Sequence, residues 1–202
     1  HWMREGAAWL SAAILHVLFR SQVCVGQVAN LNDVREFLSQ VDDEQDANAE
    51  DPMDALLCAM AAFEHGERAV DREVHGAATT MRMKDFKECS GVHSTALAAL
   101  RLFSDPIVTA NTSASDFALS DLCGDRPVSF YLVIPPSDID RLRPLTQMMI
   151  AILVRHLTEN FEERAGKRKL LLLLDEFTAL GKVEILERAL AFLAGYGVKA
   201  FL

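Results

Sequence analysis

The stretch Leu170–Gly181, LLLLLDEFTALG, gives the strongest indication of the fold class of this 202-residue chain. Its five leucines predict a short buried strand of a parallel sheet. Two acids, Asp175 and Glu176, follow directly and would stand at the carboxyl edge of that sheet, where open α/β folds bind their ligands. Two interpretations are open. Either the acids belong to a nucleotide-hydrolysing site, or they are only the polar end of a buried strand.

The segments on either side of this strand predict a parallel α/β sheet. Val128–Ile134 is a β-branched and aromatic run that two prolines stop, and Val198–Leu202 is a second apolar run; both predict strands. Helices are predicted over Arg143–Asn160 and Val183–Ala194. Strand, helix, strand, helix, strand is typical of a parallel α/β sheet. On the first of these helices, the residues expected to face inward are Leu145, Met148, Met149, Ile152 and Leu157.

The part of the chain before this sheet predicts helices only. Gly6–Arg20 is apolar nearly all round, which suits a buried helix. Asn32 or Asp33 is expected to cap a helix that reaches about Gln40, and Asp51 to cap one that begins at Pro52. The remaining helical patterns are Glu67–Cys89 and Val92–Phe103. Since nothing between Leu31 and Ala110 alternates like a strand, this middle block is expected to be all helical.

Two features of the helical block leave alternatives open. The run Asp42–Asp54 holds seven acids and no base, so it is either a docking strip for a basic partner or a solvated loop between helices. The second interpretation is favoured. His65, His75 and His93 lie on different predicted helices without ligand spacing, so we expect surface or core histidines rather than a metal site.

Composition excludes several classes of protein. The net charge of −9 argues against nucleic-acid binding through bulk electrostatics, because such surfaces are normally basic. The apolar stretch Ala7–Phe19 is expected to be too short to span a bilayer, so no membrane segment is predicted. The cysteines are far apart and predict reduced, buried thiols in a cytosolic compartment rather than a zinc site or disulfides: Cys24, Cys58, Cys89 and Cys123.

A nucleotide site would need a second motif. The phosphate-binding loop has the pattern G-x-x-x-x-G-K-[S/T], whose glycines allow close approach to phosphate. Gly166-Lys167 and Gly181-Lys182 both lack the earlier glycine and the following Ser or Thr. The chain is therefore expected to be unable to complete a nucleotide site alone. It begins within a helical pattern and stops within a strand pattern, so we expect a fragment of a longer protein.

Two segments resemble the type IV secretion coupling proteins, the hexameric ATPases of conjugative DNA transfer. The first is KLLLLLDEFTALGKVEILERALAFLAGYGVKAFL, Lys169–Leu202, which resembles their Walker B region. The second is VSFYLVIPPSDIDRLRPLTQMMIAIL, Val128–Leu153, which resembles the strand, double proline and helix before it. His1–Phe19 resembles the helix that soon follows the Walker A helix. The resemblance is strong on both flanks and weak in the middle block.

The resemblance implies a partial RecA-like P-loop NTPase, an α/β fold with a parallel sheet and an inserted all-α helical domain. It implies a motor segment at residues 1–29, the all-alpha insertion at residues 30–112 and a motor segment with Walker B at residues 113–202. Carried over by position, Asp175 matches the acid that holds Mg²⁺ through water, and Glu176 matches the catalytic carboxylate. ATP and Mg²⁺ are then cofactors of the full-length protein, and none is expected in the fragment.

The resemblance also implies partners and a location. The insertion is expected to recognise a relaxase–DNA complex (the relaxosome) or secreted effector proteins. The parent is expected to form a homo-hexamer, to handle single-stranded or double-stranded DNA, to contact type IV secretion channel components, and to lie at the cytoplasmic face of the bacterial inner membrane. Alternatives are a different RecA-like DNA-translocating or packaging ATPase, or a recognition module with no turnover of its own.

Overall fold

A computed structural model describes residues 2–43, 51–159, 168–175, 181 and 184–201. Within them the chain forms two compact units, residues 1–114 and residues 115–202. The first unit is helical. The second contains helices and a small sheet of two parallel strands. The described chain is thus mostly helical, which is consistent with an all-α domain plus part of an α/β fold.

The helical unit contains six α-helices within the described residues. Their bounds are α1 Trp2–Val25, α2 Leu31–Asp43, α3 Pro52–Ala62, α4 Arg68–Arg82, α5 Phe86–Ala99 and α6 Pro106–Thr112, with a 3₁₀ turn at Arg101–Ser104. The prediction of an all-helical middle block is confirmed for the described residues. One boundary was predicted wrongly, because Asp85 caps α5 and ends the preceding helical stretch before Cys89.

Helix α1 is the centre of the helical unit. It packs against α5, α4 and α2 along a stripe of buried residues with helical spacing, Gly6, Trp9, Ala12, Ala13, His16 and Val17. At the crossing with α5, a Cβ on Gly6 would lie 2.7 Å from Cγ2 of Thr95. Only glycine therefore lets the two backbones approach this closely.

Helix α1 is also longer than the sequence predicts. Among the described helices it is the one that is long and apolar enough to cross a membrane. The prediction that this segment is too short is wrong, because the helix extends beyond both ends of Ala7–Phe19. A core helix has the same length and composition, and α1 buries its stripe against protein, so these two properties do not assign it to a bilayer.

The helix starts show where local sequence signals succeed and fail. Asp51 caps α3 as predicted, accepting a hydrogen bond from the Met53 backbone at 3.1 Å, with Pro52 in the first position. The predicted cap of α2 is wrong by two or three residues. Asn30 is the cap, since its Oδ1 accepts from the backbone N–H of Asn32 at 2.8 Å, and the Asp33 carboxylate accepts from the Asn30 backbone N–H at 2.7 Å.

The second unit is built around one β-α-β crossover. Its bounds are α7 Ile139–Glu159, β1 Leu170–Leu173, α8 Glu184–Leu190 and β2 Val198–Phe201, with 3₁₀ turns at Leu119–Cys123, Pro136–Asp138 and Leu193–Tyr196. The strands are parallel, with Leu170 opposite Val198 and Leu173 opposite Phe201. The strands predicted at Leu170 and Val198 are confirmed, and so is their parallel pairing.

The predicted strand Val128–Ile134 is wrong. These residues have no regular structure, and Tyr131 and Val133 are more than 80% exposed. A strand needs a neighbouring backbone to accept and donate its hydrogen bonds. Among the described residues, β1 and β2 pair only with each other, so this segment has no such neighbour.

One face of the sheet is packed and the other is open. Leu170, Leu172 and Leu174 pack against a core that α7 and α8 supply, which includes Leu157 and Leu186. On α7 the inward prediction is confirmed for Leu157 and wrong for Ile152, which is 48% exposed. The buried stripe of this helix is instead Thr146, Ile150, Val154 and Leu157.

Candidate functional site

Asp175 stands at the carboxyl edge of the sheet, as the sequence predicts. The ladder continues one residue past β1, because the Leu174 backbone N–H donates to the Phe201 carbonyl at 2.9 Å. The chain then turns, and Asp175 is the residue in the turn, exposed to solvent. Leu170, Leu172 and Leu174 pack against the core and so fix the position of the backbone that leads to this carboxylate.

The second predicted acid, Glu176, lies outside the described residues, so its predicted catalytic role stays a prediction. The structure describes the chain again at Gly181, which has a left-handed φ of 65°. A Cβ there would lie 3.7 Å from Cδ of Arg143 and 3.8 Å from Nε2 of Gln147. Gly181, the last residue of the motif, therefore lies beside the first half of α7. Its left-handed backbone conformation favours glycine.

The chemistry of one exposed carboxylate at this edge is compatible with a magnesium ion held through water. Mg²⁺ prefers hard oxygen ligands, keeps several of its waters and needs few protein carboxylates. Asp175 offers one solvent-facing carboxylate at the edge where α/β folds bind nucleotides. Such an edge can hold a hydrated cation, and the phosphate-binding part must come from other residues.

A second group of ionisable side chains lies in the helical unit, where the sequence did not predict a site. His65 lies in the loop between α3 and α4, and its Nδ1 lies 2.8 Å from Oδ1 of Asp71. His65 Nε2 lies 3.0 Å from Nδ1 of His16 on α1. His75 is one turn after Asp71 on α4. The signal available in the sequence is the spacing H-x₅-D-x₃-H, which becomes visible only when Asp71 is counted with the histidines.

Burial and hydrogen bonding change the acidity of two members of this group. Burial, followed by repulsion from His65, lowers the pKa of His16 to about 4. The backbone N–H and the ring of His65 both donate to Asp71, and these bonds lower the pKa of the Asp71 carboxyl. At neutral pH, Asp71 is therefore a carboxylate and His16 an uncharged imidazole.

The chain thus has an all-helical unit and a unit with a parallel sheet. In the second unit, the exposed acid Asp175 follows strand β1. The profile of the family described as type IV secretory system conjugative DNA transfer matches residues 1–202. The chain belongs to this family. The resemblance to coupling proteins is thereby confirmed.

Individual relatives agree with this assignment. The chain is 37% identical to a conjugal transfer protein TraG of Escherichia coli over 209 residues, which cover 100% of this chain and 31% of the relative. It is 38% identical to protein VirD4 of Agrobacterium fabrum over 97 residues, which cover 48% of the chain and 14% of the relative. The chain thus spans about a third of the length of the TraG relatives. No solved structure matches it.

Proposed function

We propose that this chain is part of an ATP-driven motor that moves DNA and attached protein into a type IV secretion channel. The carrying observation is an exposed Asp175 at the carboxyl end of a parallel strand, in a chain of the conjugative DNA transfer family. The proposal concerns the longer protein, because the chain spans about a third of its relatives and contains no phosphate-binding loop motif.

The two acids divide the chemistry. When bound, ATP would supply the phosphoryl group, and Mg²⁺ would neutralise the negative charge of the phosphate oxygens. In our proposal Asp175 holds the hydrated metal through its carboxylate, which suits an ion that keeps its waters. Glu176 orients and polarises the water that attacks the γ-phosphate. The surrounding fold is then a partial RecA-like P-loop NTPase with an all-α insertion.

The division of labour between the units is also proposed. Residues 30–112 serve as the recognition module, between motor segments at residues 1–29 and residues 113–202. Helix α1 packs into the helical unit, so the first motor segment and the insertion share one core. In this arrangement, the helical unit contacts substrate and the sheet edge contacts nucleotide.

The family membership supports the partners we propose. They are a relaxase with its DNA, or effector proteins, as substrates; channel components; and further copies of the same protein in a hexamer at the cytoplasmic face of the inner membrane. With a net charge of −9, the chain suits basic protein partners better than bulk DNA binding.

The test uses the longer protein with Glu176→Gln and Asp175→Asn. We expect Glu176→Gln to keep ATP binding and to lower turnover about 100-fold or more, since it removes the carboxylate that polarises the attacking water. Asp175→Asn is expected to lower turnover and, unlike Glu176→Gln, also to weaken Mg²⁺-dependent ATP binding. Glu187→Gln is the matched control, because Glu187 is an exposed acid on α8 of the same unit. Unchanged turnover in Glu176→Gln contradicts the proposal.

A recognition module without turnover is the second candidate function, favoured by the separate helical core of the first unit. It predicts that the chain binds a relaxase or accessory protein, and that neutralising the acids of Asp42–Asp54 weakens binding, most at low salt. If affinity does not change, a different face is used. A packaging or other RecA-like ATPase would turn over ATP but would not bind a relaxase.

A further inference from the structure

The side chains of His65, Asp71 and His75 lie close enough to hold one metal ion. Each offers a ligand atom, and these atoms all lie within 4.8 Å of one another. Asp71 and His75 are four residues apart on α4, so they lie on one face of the helix. Gly66, with a left-handed φ of 81°, turns the loop so that His65 meets this face.

His75 already has an unprotonated nitrogen that could bind a metal, and His65 gains one when its proton moves from Nδ1 to Nε2. Nε2 of His75 lies 3.0 Å from the Phe63 carbonyl. A carbonyl only accepts, so Nε2 carries the proton and Nδ1 keeps its lone pair. Nε2 of His65 lies 3.0 Å from His16 Nδ1, which can accept its proton and leave His65 Nδ1 as the second donor. Metal-binding histidines usually donate their other N–H in this way.

We propose that His65 Nδ1, Asp71 and His75 Nδ1 form a binding site for one divalent transition metal, Zn²⁺ above all, and that His16 positions His65. Two imidazoles and one carboxylate suit Zn²⁺ and its neighbours in the first transition row better than Mg²⁺ or Ca²⁺. The site is separate from the sheet edge and independent of the proposed ATP chemistry.

The geometry requires an adjustment, because the three ligand atoms now lie up to 4.8 Å apart. With bonds of about 2.0–2.1 Å at a tetrahedral ion, two ligand atoms stand about 3.3 Å apart. His65 Nδ1 and Asp71 Oδ1 are now 2.8 Å apart, sharing a proton that the metal would replace. The side chain of Asp71 is 27% exposed and can rotate, whereas His65 is fully buried and fixed. Three protein ligands leave a fourth position for water or for a side chain of a partner protein.

The metal would fasten the α3–α4 loop to α4. In its absence, the ring of His65 donates to Asp71 through Nδ1–H and accepts from His16 through Nε2. When the metal binds Nδ1, the proton of His65 moves to Nε2, the proton of His16 moves from Nδ1 to Nε2, and the bond between the two rings reverses. Metal binding and the tautomer of His65 are therefore linked, which gives a signature that does not depend on activity.

The test is a Zn²⁺ titration of the 202-residue chain by calorimetry, with a competing chromophoric chelator. Cys24 and Cys58 are exposed, so the prediction of buried thiols is wrong for them. Because thiolates are zinc ligands, both are changed to serine in every sample. We expect one Zn²⁺ per chain, no competition from Mg²⁺, and at least about 10-fold weaker binding in His75→Gln. His156→Gln, which removes one histidine from α7, is the matched control and is expected to bind as before.

Two further measurements keep the outcome decisive if a ligand variant folds poorly. Co²⁺ bound to the unaltered ligands should give the intense visible bands of a tetrahedral site, and imidazole ¹⁵N shifts should show His65 protonated at Nε2 rather than Nδ1. His16→Phe should lower the affinity for Zn²⁺ about 10-fold while leaving one site per chain. Absence of stoichiometric binding, or equal affinity in His75→Gln and His156→Gln, overturns the proposal.

Discussion

Two apolar segments of the chain, helix α1 and strand β1, are buried in different ways. Helix α1 buries a complete stripe against α2, α4 and α5. Strand β1 is all leucine, yet Leu171 and Leu173 are 63% and 62% exposed, because only one face of the two-stranded sheet is covered. Apolar content alone therefore does not say how much a segment stabilises its unit. What decides is the number of faces that have partners.

The largest effect is expected from Trp9→Ala in α1. Trp9 is 2% exposed, and its Nε1 donates to His93 Nδ1 on α5 at 3.4 Å. Its removal should cost the helical unit about 3–5 kcal/mol of unfolding free energy. Trp2→Ala is the matched control, since Trp2 is on the same helix but 47% exposed, and should cost about 1–2 kcal/mol. Urea unfolding followed by far-UV circular dichroism measures both, and equal losses contradict the buried stripe.

The open face of the sheet is probed by two leucines of the second unit. Leu157→Ala, at a position with 0% exposure, should cost about 2–5 kcal/mol. Leu171→Ala, on the open face, should cost less than about 1 kcal/mol. Amide hydrogen exchange in residues 184–201 reports on this unit separately. A loss in Leu171→Ala as large as in Leu157→Ala would show that this face is covered.

The helical unit is expected to lose stability in mild acid. The pKa of His16 is about 4 in the folded state and about 6.5 in the unfolded state, so the unfolded state binds more protons between these values. Stability should be highest above pH 6.5 and fall by about 3 kcal/mol as pH falls to 4. Tryptophan fluorescence measures it, because both tryptophans lie in the helical unit.

The comparison that isolates His16 is made in chelator, so that metal binding does not contribute. His16→Gln should flatten the decline between pH 6.5 and 4.5, while His156→Gln should keep it. Asp71, whose folded pKa is lowered, adds stability above its unfolded value that is lost only at still lower pH. A decline of equal slope in His16→Gln would exclude His16 as its source.

The smallest effect concerns the start of α2. Asn30→Ala should cost about 1 kcal/mol, because two backbone N–H groups lose their acceptor. Asn32→Ala removes two side-chain hydrogen bonds within α2, one to Glu36 and one from Arg35, but no backbone cap, and should change stability by less than about 0.5 kcal/mol. Thermal unfolding of the helical unit measures both. The reverse order would restore Asn32 as the cap.

The sequence predicts most where the signal is local. A proline after an aspartate predicted the start of α3, and leucines before two acids predicted β1 with an exposed Asp175 after it. Asn30 was missed because three capping residues stand within four positions, and only the backbone geometry shows which side chain reaches the N–H groups.

Features that depend on distant partners could not be predicted in this way. Val128–Ile134 has the composition of a buried strand, but no described strand lies beside it. His16 and His65 are 49 residues apart in the chain and meet only because α1 crosses the α3–α4 loop. The exposed face of β1 could not be predicted for the same reason, because a row of leucines does not show which face of the strand another element covers.

We propose that the sheet edge carries ATP chemistry while the helical unit carries recognition. The most direct test of this proposal measures ATP turnover and relaxase binding together in the longer protein with Glu176→Gln. We expect turnover to be lost while ATP binding and relaxase binding are retained. Turnover equal to that of the unaltered protein would contradict it.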